Sequence, residues 1–101
     1  MSIIRGTTPT LEFVLPFETA SLAEAFVTLS QNRTVKVDKA LADCECSQNK
    51  LTVRMTQEET LKLCGDCRTE IQIRAKTVDG EAIASNIMTV QTERILKDGV
   101  I

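Results

Sequence analysis

Apolar and polar residues alternate with a period of two over much of the chain. Leu11, Phe13 and Leu15 alternate with Thr10, Glu12 and Val14 until Pro16 stops the run, the pattern of a half-buried strand. Residues 25–30 form a second, more apolar run, and Gln31-Asn32-Arg33 reads as a turn. Val35 and Val37 then alternate with Thr34, Lys36 and Asp38 as a third strand. Residues 41–46 are a weaker fourth segment, closed by the turn-like Ser47-Gln48-Asn49-Lys50. Leu51, Val53 and Met55 alternate with Thr52 and Arg54 in a fifth strand, and Ile71, Ile73 and Ala75 alternate with Glu70, Gln72, Arg74 and Lys76 in the most regular one. Asp79-Gly80 predicts a two-residue primed turn, with positive φ at both positions. A return strand follows from Glu81, bends near Ser85-Asn86 and resumes over residues 87–95.

The period changes once. Thr56-Gln57-Glu58-Glu59 fits a capping box, in which Thr56 and Glu59 satisfy each other's free backbone donors. Leu61, Leu63 and Cys64 follow, and Gly65 is expected to close the turn in a left-handed conformation. The spacing predicts a short helical turn over 57–64 that carries the chain from one sheet to the other. With about seven or eight short strands, residues 1–101 read as one all-β domain, a single antiparallel β-sandwich.

Composition then removes function classes. The 101 residues carry 12 Lys+Arg against 14 Asp+Glu, a net charge of −2 without a basic run, so nucleic acid is not expected as a partner. His, Trp and Tyr are absent, which excludes a histidine-based triad, an imidazole metal ligand and a tryptophan or tyrosine stacking platform. With four glycines, no phosphate-binding loop can be written. No run approaches the roughly 20 apolar residues of a membrane helix, and the first residues lack a signal peptide's apolar core. The expectation is a non-enzymatic protein made in a cytoplasm, with neither a membrane nor a small-molecule substrate as partner.

Four residues keep chemistry open. Cys44 and Cys46, two apart on a strand, point to one face, and Cys64-Gly65-Asp66-Cys67 can converge two thiolates. Together Cys44, Cys46, Cys64 and Cys67 make a candidate structural zinc site, closed and without a catalytic position. Free thiols packed as small hydrophobes, disulfides and a redox pair at Cys64 and Cys67 are the competing readings. The carboxylates Glu58-Glu59 and Asp43 with Glu45 read as a helix cap and solvated faces. The ends are apolar: Ile3, Ile4, Val100 and Ile101 either fold back on the sandwich or dock on another subunit.

Several stretches carry a family resemblance. They are Arg5-Gly6-Thr7-Thr8-Pro9-Thr10, Leu51-Thr52-Val53-Arg54-Met55-Thr56-Gln57-Glu58-Glu59-Thr60-Leu61, Glu70-Ile71-Gln72-Ile73-Arg74 with Asp79-Gly80, and Glu93-Arg94-Ile95-Leu96-Lys97-Asp98-Gly99. In these the chain resembles small prophage proteins of Gram-positive gut bacteria, and its layout resembles the N-terminal domain of phage baseplate upper proteins. That resemblance implies an immunoglobulin-like β-sandwich and a virion component of the tail, baseplate or head. It further implies other phage structural proteins as partners, self-assembly as a homo-oligomer, and passage from the bacterial host cytoplasm into the virion. The cysteine quartet lies outside the family pattern, and the 101 residues hold no counterpart to the family's helical stalk. The alternative is a small binding module that inhibits a host protein inside the bacterial cell.

Overall fold

The computed structural model describes residues 2–101. Nine strands make two sheets: β1 (Ser2–Ile4), β2 (Thr10–Val14), β3 (Leu22–Gln31), β4 (Thr34–Ala40), β5 (Cys44–Ser47), β6 (Lys50–Arg54), β7 (Cys67–Thr77), β8 (Ala82–Ala84) and β9 (Met88–Glu93). The larger sheet runs β1-β9-β7-β3-β4, with β8 also paired to β7, and the smaller runs β2-β6-β5. One short helix, α1 (Gln57–Leu61), crosses from β6 in the small sheet to β7 in the large one. The chain is thus an all-β sandwich with α1 and two 3-10 turns, at Thr19–Ser21 and Leu41–Asp43, outside the sheets.

Side-chain alternation explains which faces meet. On the small sheet Leu11 pairs with Val53 and Phe13 with Leu51, and Leu11, Leu51 and Val53 are buried. On the large sheet Ala25, Val27 and Leu29 of β3 face inward beside Ala75, Ile73 and Ile71 of β7. Odd-numbered positions of these strands therefore make one apolar layer between the sheets, as a period of two requires.

Several local features differ from the sequence pattern. Residues 2–4, read as an apolar end, are a strand, and it pairs parallel to β9. Ile3 is fully buried in the core. Residues 41–43 form a single 3-10 turn, so β5 begins only at Cys44. A bulge opposite Leu29 and Ser30 shifts the register of β4: Val37 pairs with Leu29, but Val35 pairs with outward Ser30. Val35 is consequently exposed while Val37 is buried, because a one-residue shift exchanges the faces of a strand. The strand that returns from Glu81 is broken as expected. Ser85 bridges the break, its N–H donating to Ile73 O at 2.8 Å and its Oγ accepting from Ile73 N at 3.0 Å.

Turn chemistry also moved. Asp79-Gly80 does not form a two-residue primed turn. Only Gly80 has positive φ, and Thr77 N donates to Glu81 O across a three-residue loop, the arrangement in which glycine takes the left-handed place. The primed turn lies instead at Asn32-Arg33, where φ is 50° and 64° and Gln31 pairs with Thr34. At the end of α1, Asp66 takes the left-handed conformation at φ 57°, not Gly65. Gly65 is required for a different reason: a Cβ there would lie 2.8 Å from Cα of Arg94.

Arg33 sits in a conformation that costs an L-residue about 1 kcal/mol and glycine almost nothing. Arg33→Gly is expected to stabilise the protein by about 0.5–1 kcal/mol. The midpoint of urea unfolding, measured at constant slope, checks it.

Candidate functional site

The segment from Thr56 to Cys67 is a centre of side-chain hydrogen bonding. Thr56 Oγ1 accepts from Glu59 N at 3.2 Å and Glu59 Oε1 accepts from Thr56 N at 2.8 Å, the reciprocal box its sequence predicts. Lys39, inward on β4, donates to both Glu59 oxygens at 2.9 Å. Arg5 then forks onto the far end of the helix, with Nε donating to Leu63 O at 2.6 Å and Nη2 to Leu61 O at 3.0 Å. A cation over the last carbonyls of a helix satisfies acceptors that have no internal partner. The Gln31 amide reads the Cys64 backbone in both directions, accepting from its N at 2.7 Å and donating to its O at 3.0 Å. Gln31 also donates to Thr69 Oγ1, which shares a 2.5 Å hydrogen bond with Thr92 Oγ1.

This network is saturated. Among the described residues, no buried side-chain nitrogen or oxygen lacks a hydrogen-bond partner. Fully satisfied buried polar groups hold register and leave no unpaired group aimed at a ligand. Glu59 shows the balance. Burial disfavours its charge, but the Lys39 hydrogen bond, the Thr56 N–H and the Lys39 charge outweigh burial and hold the carboxyl below its ordinary 4.5. Of the other acidic residues singled out, Asp43 accepts from Ala40 N at 3.1 Å, and Glu45 and Glu58 are exposed.

The four cysteines are not brought together. Cys44 and Cys46 do share the inward face of β5, opposite Val53 and Leu51. Cys44 is half-buried and its Sγ donates to Ala40 O at 3.3 Å, whereas Cys46 is exposed. Cys64 lies exposed beyond α1, and Cys67 opens β7 beside Thr92 of β9. All four are free thiols, and among the described residues no three His, Cys, Asp or Glu side chains are grouped to hold a metal ion. The four thiols proposed as one zinc site therefore do not converge in this structure. Cys44 and Cys46 lie in the small sheet, Cys67 in the large one and Cys64 in the loop before it, a separation that spacing along the chain does not encode. Burial, then Cys46 and Asp43, push the Cys44 thiol above its ordinary 9.0, with Lys39 opposing.

The apolar ends divide. Ile3 is core, which removes it from any interface, and Ile4 is 43% exposed on the outer face. Val100 and Ile101 stay exposed. The last residue is nevertheless held, because Ile101 N donates to Gln57 Oε1 at 2.8 Å and Gln57 Nε2 donates to Ile101 O at 3.2 Å. Leu96, overlooked in the sequence pattern, is 94% exposed.

A second surface was also not legible in the sequence. At the Thr77 end of β7 the small sheet stops short of the large one and leaves a groove of about 560 Å³. Leu15, Pro16 and Phe17 form one wall, Leu22, Ile73 and Ala75 the floor, and Ile83 of β8 the other wall. Asp79 and Glu81, both exposed, also line it. Only the tripeptide Leu15-Pro16-Phe17, apolar where the strand has already ended, hints at it in the sequence. Most of the groove's lining is apolar, with Ser21, Thr77, Asp79, Glu81 and Ser85 as its polar residues.

Two outcomes follow from this geometry. Because the Glu59 pKa is lowered on folding, its contribution to stability is full above about pH 4.5 and is lost as pH falls through the lower folded value. Glu59→Gln is expected to cost about 2 kcal/mol at neutral pH and to flatten the acid limb, checked by urea unfolding between pH 7 and pH 3. Thiol labelling followed by mass spectrometry is expected to modify Cys46 and Cys64 first and Cys44 last.

Comparison of the chain with family models, with curated proteins and with solved structures found no match in any of the three.

Proposed function

We propose that this chain is a non-enzymatic structural or adaptor component of a phage or phage-derived particle, acting through protein–protein contacts and self-assembly. The observation that carries the reading is the contrast between buried polar side chains, none of them unpartnered among the described residues, and a surface with large apolar side chains left open. Leu96 and Ile101 are exposed at 94% and 93%, and an apolar groove opens at the Thr77 end of β7. Apolar surface of this kind marks contact with other proteins. The sequence resemblance to baseplate upper proteins supplies the class of particle. Its stretches 5–10 and 51–61 meet in this fold, where Gly6 N donates to Thr60 Oγ1 at 2.9 Å and Thr60 Oγ1 donates to Thr7 O at 2.9 Å.

On this reading the chain is made in the bacterial host cytoplasm and ends in the virion beside other phage structural proteins. Quantitative mass spectrometry of particles purified from the bacterium that encodes it tests this. The chain is expected at a fixed ratio to the other structural proteins. Its absence from particles, together with a stoichiometric complex with a host protein in the cell, would sink the proposal in favour of an intracellular inhibitor.

A further inference from the structure

We propose that the free edge of β8, together with the groove beside it, is a strand-addition site. It takes an extended segment of a partner protein, apolar at every second residue and flanked by a lysine or arginine. The proposal rests on the reading of this chain as a contact protein and names the surface, whichever protein supplies the segment.

The edge carries the first part of the argument. β8 pairs with β7 on one side, and among the described residues no strand pairs with its other side. Thr77 N donates to Glu81 O at 2.9 Å, and Ser85 N donates to Ile73 O at 2.8 Å. Alternate residues of an antiparallel strand bond the same neighbour. Ile83 therefore bonds β7, and Ala82 and Ala84 turn their N–H and C=O groups to the free side. The other edges are guarded. β4 is bulged, and Asp43 Oδ2 accepts the Ala40 N–H at its end. β2 carries Glu12 between Pro9 and Pro16, and β5 carries Glu45. In β1 the Ile4 carbonyl accepts from Thr7 N. Charges, prolines and bulges keep edges from pairing, and Ala82-Ile83-Ala84 has none of them.

The edge is three residues long, so backbone pairing alone holds an occupant weakly. The groove supplies the rest. Ala84 and Ser85 line it beside Ile83, and Leu15, Pro16 and Phe17 line it from across the sandwich. A strand added to β8 continues the large sheet, and every second side chain then falls on the inward face that Ile83 shares. Those side chains meet apolar walls, while main-chain bonds fix the register. The ionisable residues lining the groove are Asp79 and Glu81, both acidic, so a cation at the end of the segment complements them. The edge is also held in place. Ser85 Oγ accepts from Ile73 N at 3.0 Å, and Ser85 O accepts from Gln72 Nε2 at 2.9 Å. An edge already fixed in extended form loses little freedom on docking.

The probe is the acetylated, amidated peptide Lys-Val-Thr-Leu-Thr-Val-Lys, titrated into the isotope-labelled full chain and followed by NMR. Amide exchange at Ala82 and Ala84 is expected to slow by about tenfold or more at saturation, because both amides gain a partner. Two N-methylated peptides, one blocked at the threonines and one at the valines and leucine, isolate the backbone bonds. An added strand turns only one of these sets toward β8. One peptide is therefore expected to lose about tenfold or more in affinity and the other to keep it. Ala84→Pro removes a free-side N–H and spares the β7 ladder, and about a tenfold loss is expected, with circular dichroism confirming the fold. The methylated peptides decide the matter if that variant does not fold. Glu81→Lys is expected to weaken binding, and the same peptide ending in glutamates is expected to restore it. Equal binding of both methylated peptides, unchanged exchange at Ala82 and Ala84 in the bound state, or no binding at millimolar peptide would each overturn the site. None of these results touches the adaptor reading, which the particle measurement decides.

Discussion

The structure depends on one mismatch: a six-stranded sheet has an inner face that a three-stranded sheet cannot cover. Exposed inner-face residues would forfeit roughly 25 cal/mol for each Å² left in water. The uncovered area must therefore be closed by irregular chain. At the end where β7 begins, the segment from Met55 to Leu63 does this, and Met55, Thr60 and Leu63 are buried almost completely. At the other end Leu15-Pro16-Phe17 and the Thr19–Ser21 turn approach, and the face stays partly open.

Closing a sheet with irregular backbone has a cost that strands do not bear. Backbone groups outside a ladder need other partners, and an orphaned one in the interior costs about as much as a lost hydrogen bond. Arg5 and Gln31 meet that need at Leu61, Leu63 and Cys64, while Lys39 holds the Glu59 carboxylate and Thr60, within α1, bonds Gly6 and Thr7 in return. Their burial and polarity would look anomalous in a plain sandwich. Here they are the reason a five-residue helix, too short to be stable alone, holds a fixed place.

The same reasoning separates stability from function in this molecule. The polar cluster around α1 contains charged and hydroxyl groups in close geometry, which invites a catalytic reading. Its complete pairing argues for a structural one, since a group that performs chemistry has to meet a substrate. What remains unmatched is apolar: the open end of the sandwich and the side chains after β9.

Strands whose two faces differ in solvent exposure were legible along the chain. The alternations around Leu11, Leu51 and Ile71 reflect burial on one face, and that burial is local in sequence. The Thr56–Glu59 box was equally legible, because both partners lie within one turn. Pairing between distant segments decided the rest. Ile3 became core because β1 found β9 some 90 residues away, and nothing in Ile3-Ile4 distinguishes a strand from an exposed end. Val35 turned outward because a bulge, set by the partner strand, changed its face. The cysteine pairs separated because Cys44 and Cys67 joined different sheets. Spacing along the chain limits which residues can meet nearby. Which distant ones do meet was decided only when the two sheets chose their partners and left one end between them open.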